Sequence, residues 1–471
     1  MYRNMTGRHI MSSPTPFILK VLSLAVGRAT VLVMLFFAFA APNAHAQQVR
    51  DVSFNEAVQI ALDKNVTILR AQNNLDLQEL TVQSERMDFL PNLSFSSGAN
   101  RNYGLQFDQT TGKLVNASND GFNMSASSSI SLFAGFSNVA TLKGARATLE
   151  SQEFSYERTR QTVVFNVISN YLSVILAEEN IRIRKEDVES QTKLYEQIDE
   201  FVRVGTRAIS DLYNQQATLA NAELQLLNAE SNFQVSKTRL IQVLHLDPLT
   251  DYNFLAPDAD EIPVKARAYV PQDLLLAAFE RRADLRAQEL SIDAAEQNIR
   301  SAKSGSLPSL SLSTSAGTSY SSGGRSDFNN QLTDNRSERI GLNLSVPIFS
   351  RFNTKRNIEA SKVQYANARL DLENLQQSVA IEVRQAYLDY QTAVKRLEVT
   401  EKGLQASNQA LQVEQERYNV GASTLVELTQ ARTRFVDSAS QRAQALFQFH
   451  FQHRVIEFYL GTLDPGQPLF N

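Results

Sequence analysis

From Phe122 to Leu132 the chain reads Phe-Asn-Met-Ser-Ala-Ser-Ser-Ser-Ile-Ser-Leu. One face of an extended strand over this stretch carries Phe122, Met124, Ala126, Ser128, Ile130 and Leu132; the other carries Asn123, Ser125, Ser127, Ser129 and Ser131. A second stretch repeats the pattern, with Ile340, Leu342, Leu344, Val346 and Ile348 alternating with Gly341, Asn343, Ser345 and Pro347. Weaker alternation precedes each: Leu93, Phe95 and Ala99 against Asn92, Ser94, Ser96 and Gly98, then Leu310, Leu312, Thr314, Ala316 and Tyr320 against serines and Gly317. A half-buried soluble sheet also alternates. Two features favour a membrane barrel: the strands match the ~9–11 residues that cross a bilayer, and the polar face is small and uncharged, as suits a water-filled lumen. The intervening segments, Asn102 to Gly121 and Ser321 to Ser337, are rich in Gly, Ser, Asn and Asp and read as outer loops.

The strand pairs belong to a duplication. Leu90-Pro91-Asn92-Leu93 matches Leu307-Pro308-Ser309-Leu310 at an offset of 307 minus 90, or 217, and Leu246-Asp247-Pro248 matches Leu463-Asp464-Pro465 at the same offset. Phe133-Ala134-Gly135-Phe136 matches Phe349-Ser350-Arg351-Phe352, and Val204-Gly205-Thr206 matches Val420-Gly421-Ala422, both at 216. One spacing held along the chain predicts two copies of one unit, each running helix, two strands, very long helix, tight break, long helix. The expected organisation is a signal peptide over 1–46, a first repeat over 47–248, a linker over 249–270 and a second repeat over 271–471.

The signal-peptide reading rests on Arg3, Arg8, Lys20 and Arg28, an apolar run from Ala29 to Ala41, and Ala44-His45-Ala46 as a small-x-small cleavage site. About 425 residues (471 minus 46) follow it, with no apolar run of the ~18 residues a spanning helix needs. A net charge of −4 gives no basic excess for nucleic acid, and the absence of Cys excludes disulfides, thiolate metal sites and a lipidated cysteine.

The helices carry heptads. In the second copy Val383, Tyr390, Leu397, Leu404 and Leu411 recur every seven residues, with Ala386, Ala393, Thr400 and Ser407 as a column of smaller residues; Leu428, Phe435, Arg442, Phe449 and Ile456 follow the same spacing. In the first copy Leu212, Leu219, Leu226, Phe233 and Leu240 alternate with Gln215, Ala222, Ala229, Ser236 and Val243. Such seams coil long helices together. The expected long helices, Asn138 to Val202 and Asn353 to Arg417, would reach on the order of 100 Å at ~1.5 Å per residue. A membrane sheet cannot keep an open edge, and four strands are too few to close a barrel, so several chains must share one.

In this layout, in Leu-Pro-x-Leu opening a strand, in Ser345-Val346-Pro347-Ile348-Phe349 closing one and in the Val-Gly tips, the chain resembles the TolC family of outer-membrane efflux proteins. The resemblance implies a fold that is mainly α with a membrane β-barrel: a homotrimer whose twelve strands, four per chain, continue into a periplasmic α-helical coiled-coil barrel. It implies location in the cell outer membrane against its lipid, and no enzymatic chemistry. It also implies passive conduction of cargo received from an inner-membrane pump through a periplasmic adaptor protein, in efflux or type I secretion.

The resemblance further marks the helix breaks. Gly205 and Gly421 read first as left-handed helix caps. The family's tips dock the adaptor, which marks Val204, Gly205 and Thr206 with Val420, Gly421 and Ala422. Its closed end is held by carboxylate-centred links, for which Asp211 and Tyr418 occupy matching positions; Ser423 replaces a basic residue and Arg207 is the candidate substitute. Glu427 matches an inner carboxylate ring whose second member here is Gln430. A solvated helix-start carboxylate or surface tyrosine is the plain alternative for each. Catalytic inventory is lacking: there is no phosphate loop and no Cys, and His450 and His453, three apart on a helix, have no carboxylate on the preceding turn to complete a metal set. No cofactor and no metal is expected. The competing function is a non-porous periplasmic coiled-coil structural scaffold, which has no use for four bilayer-length alternating strands.

Overall fold

The computed structural model describes residues 49–108, 111–257, 262–324 and 326–470, so the signal-peptide reading of 1–46 lies outside the described residues. The elements, in order, are β1 (Arg50–Val52), α1 (Phe54–Lys64), α2 (Val66–Met87), β2 (Ser94–Asp108), β3 (Lys113–Ala134), α3 (Ser137–Arg203), α4 (Ile209–Val243), β4 (Tyr252–Phe254), α5 (Pro271–Arg281), α6 (Ala283–Ser304), β5 (Ser309–Ser321), α7 (Phe328–Asp334), β6 (Ser337–Ser345), α8 (Asn353–Asn419) and α9 (Leu425–Tyr459). Asp51–Leu249 with Asn253–Asn471 is one compact unit. Of the other, the described residues are 49–50 and 250–252, where the Arg50 amide donates to the Asp251 carbonyl at 3.1 Å.

The duplication survives to the level of helix ends. α1 and α5 begin 217 residues apart (271 minus 54), α2 and α6 also 217 (283 minus 66), α3 and α8 216 (353 minus 137), and α4 and α9 216 (425 minus 209). The single helix expected before each strand pair is two, because Asn65 and Arg282 adopt extended conformations, with ψ of 123° and 122°. The Asn65 side chain accepts from the Thr67 amide at 2.9 Å and so starts α2 afresh. α3 and α8 are 67 residues each, about 100 Å long at ~1.5 Å rise per residue. Val383, Tyr390, Leu397 and Leu411 of the seven-residue seam are buried, as are Ala386 and Ala393 beside them.

The four long strands form one antiparallel sheet in the order β2-β3-β5-β6. The register places Phe95 with Ala126, Phe122 with Tyr320, Ile130 with Leu312, and Leu310 with Leu344, so the apolar columns of all four strands share one face. The serine columns share the other, where Ser94 and Ser127 hydroxyls lie 2.8 Å apart and Ser96 and Ser125 2.9 Å. The apolar face is bare in the single chain: Leu93 is 82% exposed and Ile340 80%. Three details differ from the sequence reading. The register shifts between Ser131 and Phe133, so that Phe133 pairs with Leu310 and the alternation breaks at Leu132. β6 stops at Ser345, before Pro347, which has no amide to donate. The first expected loop is strand instead, since β2 and β3 stay paired from Asn102–Asn119 out to Asp108–Lys113; the second holds the short helix α7.

The sheet gives way to the long helices through left-handed residues, Phe136 and Phe352, both at φ 68°. Gly135 (φ 58°) precedes the first; a Cβ there would stand 2.8 Å from the Ser304 carbonyl oxygen, so only glycine fits. Phe136, Phe349 and Phe352 are exposed at these junctions, like the aromatic girdle of a membrane barrel.

At mid-length two tyrosines moor extended segments to the helices. Tyr171 of α3 is fully buried and donates to the Val52 carbonyl at 3.1 Å and the Leu255 carbonyl at 2.7 Å, between the rings of Phe54 and Phe254. Tyr390 of α8 accepts from the Arg267 amide at 2.8 Å and packs against Tyr269, 5.1 Å between centroids. Buried Arg282 is held by Asp284 (3.0 and 2.6 Å) and Glu382 (2.6 Å). Burial by itself would push the Asp284 carboxyl up, but the hydrogen bonds and charge of Arg282, joined by Arg158, hold it below the usual carboxylate range.

Candidate functional site: the helical hairpin tips

Each long helix ends in the same way. After α3, the Gly205 amide donates to the Val202 carbonyl (3.0 Å) and the Thr206 amide to the Phe201 carbonyl (2.8 Å), with Gly205 at φ 80°. After α8, Gly421 donates to Tyr418 (3.0 Å) and Ala422 to Arg417 (2.8 Å), with Gly421 at φ 75°. This pair of bonds around a left-handed glycine satisfies carbonyls that the helix leaves orphaned. The glycines therefore have the conformational role their type announces. A side chain at either would meet open space, so the constraint is backbone geometry rather than crowding. Val204 and Val420 stand 68% and 77% exposed at the two turns, an apolar pair with nothing covering it in the single chain.

The two tips meet where Arg207 lies on Tyr418. The Arg207 guanidinium carbon lies 5.0 Å from the centre of the Tyr418 ring, linking the first turn to the last turn of α8. Tyr418 is buried in a cluster with Leu194, Ile198, Leu411, Leu425 and Leu428, against which Leu212 packs. Burial raises the Tyr418 phenol above its ordinary range; Arg207 opposes this and the Asp211 carboxylate adds to it. Asp211 sits in the first turn of α4, where the helix dipole favours a negative charge.

Glu427 and Ser423 form a second group. Thr424 caps α9, its hydroxyl accepting from the Glu427 amide at 3.3 Å, while Glu427 Oε2 accepts from the Thr424 amide at 2.9 Å and from the Thr424 and Ser423 hydroxyls at 3.0 Å. The Ser423 hydroxyl also contacts Glu414, whose carboxylate bonds Arg417 at 3.1 Å. The Thr424 amide, then the two hydroxyls, hold the Glu427 carboxyl below its ordinary range, so it stays anionic at neutral pH. The capping role was legible in Thr-x-x-Glu before an apolar run. The partnership of Ser423 with Glu414 was not, because Glu414 lies across the turn on the preceding helix. Gln430, one turn on, is exposed.

The histidines do not converge. His453 is 3.1 Å from the Tyr269 hydroxyl and 3.5 Å from Glu457, whereas His450 packs against Phe449 and Phe470 at about 5 Å with Nε2 unpartnered. Among the described residues no group of three or more His, Cys, Asp or Glu could hold a metal. No described helix is long and apolar enough to cross a membrane.

Each copy of the duplicated unit, with its strand pair and coiled-coil hairpin, matches the family described as outer membrane efflux protein, over residues 57–244 and 274–462. The chain belongs to the outer membrane efflux protein family. It is 25% identical over 403 residues to outer membrane protein TolC of Vibrio cholerae, covering 85% of this chain and 88% of that one, and 24% identical to protein CyaE of Bordetella pertussis, covering 84% and 81%. Among solved structures, the Campylobacter jejuni CmeC outer membrane channel superposes with a TM-score of 0.75 at 20% identity, covering 88% of this chain and 87% of that one. The open state of the Neisseria gonorrhoeae MtrE outer membrane channel superposes at 0.71, covering 87% and 91%. The fold class is therefore that of these channels: mainly α with a membrane β-barrel, internally duplicated. As an outer membrane efflux protein the chain resides in the cell outer membrane and serves as an exit duct, in a family of channels rather than of enzymes.

Proposed function

We propose that three copies of this chain form the passive exit duct of a tripartite efflux or type I secretion system, receiving cargo from an inner-membrane pump through a periplasmic adaptor protein. The observation that carries the reading is the four-strand sheet, with every apolar column on one face and edges at β2 and β6. In hydrocarbon an unpaired edge costs several kcal/mol per orphaned backbone group, so the sheet persists only when closed by further copies, and three give twelve strands. The repeats 47–248 and 271–471, joined by 249–270, would then supply alternate hairpins of the tunnel. The tip turns Val204-Gly205-Thr206 and Val420-Gly421-Ala422 are assigned to adaptor docking. Arg207, Asp211, Tyr418 and Glu427 are assigned to the periplasmic gate.

Membrane fractionation followed by mass measurement in mild detergent tests this. The expected result is an outer-membrane trimer; a soluble periplasmic monomer would favour the pore-free scaffold.

A further inference from the structure

The two hairpins of the sheet are equivalent in register as well as in sequence. Ser94 pairs with Ser127 and Ser96 with Ser125 in β2–β3; carrying β2 residues forward by 217 and β3 residues by 216 gives Ser311 with Asn343 and Ser313 with Gly341, the pairs found in β5–β6. The junction between hairpins, β3 on β5, therefore has a counterpart that one chain cannot make: β6 on the β2 of a next copy. Moving the β3 member forward by 216 and the β5 member back by 217 converts Ser127–Ser315, Ala126–Ala316 and Ser125–Gly317 into Asn343–Gly98, Leu342–Ala99 and Gly341–Asn100 across that seam.

Two features that play no part in the shift agree with it. On the serine-lined face the seam sets an asparagine against a glycine twice, Asn343 against Gly98 and Asn100 against Gly341. The same match recurs inside the chain, where a Cβ on Gly98 would lie 3.3 Å from the Asn123 amide oxygen and one on Gly121 2.7 Å from that of Asn100, so each glycine leaves room for an asparagine. A slip of two residues would oppose Asn343 to Asn100 or Gly341 to Gly98, and a slip of one would exchange the lipid and lumen faces. The second feature is Gly104. The outermost β3–β5 pair, Gly121–Ser321, converts to Ser337–Gly104, so β2 loses its outer neighbour at the residue where its own backbone turns to φ 130°.

The same shift carries into the helices. Within the chain α3 packs on α6, where a Cβ on Gly144 would lie 3.5 Å from the Gln297 Cβ and the Ser151 hydroxyl donates to the Ala287 carbonyl at 2.7 Å. The counterpart is α8 against the next copy's α2, with Ala360 (144 plus 216) beside Leu80 (297 minus 217). Leu77, the counterpart of buried Ala294, is 62% exposed in the single chain and Leu80 58%, apolar surface that this contact would cover.

We propose that the next copy closes the barrel in this register, its β2 on β6 with Ala99 opposite Leu342, and lays its α2 along α8 with Leu80 at Ala360. The register rests on the trimeric barrel proposed above. The chain has no Cys, so paired substitutions report the seam through disulfides. β2 and β6 of one chain are three strand spacings apart, roughly 14 Å at ~4.8 Å each and beyond the ~7 Å between Cα atoms that a disulfide spans, so a bridge between them joins copies. Leu342→Cys with Ala99→Cys and Asn343→Cys with Gly98→Cys are adjacent pairs, one of which is the non-hydrogen-bonded kind with closer side chains. On oxidation at least one should run as a covalent trimer on a denaturing gel and return to monomer with reductant, as should Ala360→Cys with Leu80→Cys. Leu342→Cys with Ser97→Cys, or with Arg101→Cys, would sit on the diagonal at ~7–8 Å and should stay largely monomeric. Bridging by a slipped pair in place of the matched ones, or an intact trimer in which both strand pairs or the helix pair stay unbridged, would overturn the proposal. A wild-type protein that is monomeric in mild detergent would instead overturn the trimer itself.

Discussion

At the level of single residues, the tip is a set of links within one chain that bring its two hairpins together. Arg207 covers the ring of buried Tyr418 and Asp211 lies close enough to perturb its phenol. If these groups hold the lumen closed, removing them opens it. Asp211→Ala combined with Tyr418→Phe should raise single-channel conductance with the trimer intact, since it removes the carboxylate and phenol that influence each other at each of three tips. Unchanged conductance would move the gate elsewhere. Glu427→Ala should weaken block by multivalent cations and also loosen the start of α9, because the same carboxylate completes the cap. The left-handed turns were readable in Gly205 and Gly421, since glycine is the residue that reaches that conformation freely. The approach of Arg207 to Tyr418 was not readable, because it depends on how two hairpins 211 residues apart (418 minus 207) pack side by side.

A buried histidine gives a pH prediction at the same scale. Burial, reinforced by His453 and Arg454, pushes His450 down to about 4. Between that value and the ~6.5 of an unfolded histidine the unfolded chain binds the extra proton, so stability is complete above pH ~6.5 and declines as pH falls toward 4. His450→Phe, which suits the pocket between Phe449 and Phe470, should flatten this part of the melting-temperature profile. A profile as steep as the wild type's would assign the decline to other groups, with Asp284 contributing only at lower pH.

Among the elements, the strands were the most legible and their outer ends the least. Period-two alternation identified which residues share a face, and the register agrees from Phe95 to Leu344 except at Leu132, where it shifts. The Asn102–Gly121 segment was read as loop because its Gly, Asn and Asp are turn formers, yet pairing with a partner strand overrides that local preference. The division of each first helix at Asn65 or Arg282 was also hidden, since helical periodicity resumes directly after one extended residue. The facing assignment has a direct test in β6. Leu344→Arg, on the lipid face, should cost about 2–4 kcal/mol if it lies near the midplane and should impair assembly, whereas Asn343→Arg in the lumen should assemble. Equal damage at both positions, scored by trimer yield, would reverse or remove the facing.

For the whole molecule, the constant offset of 216 to 217 residues made the duplication legible before any coordinate, because both copies must build the same barrel-to-tunnel junction and the same tip. What sequence could supply only by exclusion was the number of chains: a four-strand membrane sheet has two edges, and edges are forbidden in hydrocarbon. A stable helical core within one chain does not relieve that constraint. The single chain also leaves Ile381, Val399 and Val413 of α8 exposed, as expected if neighbouring copies cover them. If copies of this chain close around a continuous water-filled duct, conductance across a planar lipid bilayer measures it directly. The purified trimer should insert and give discrete conductance steps, enlarged in the Asp211→Ala, Tyr418→Phe variant. Insertion of an intact trimer with no measurable conductance in either protein would contradict it.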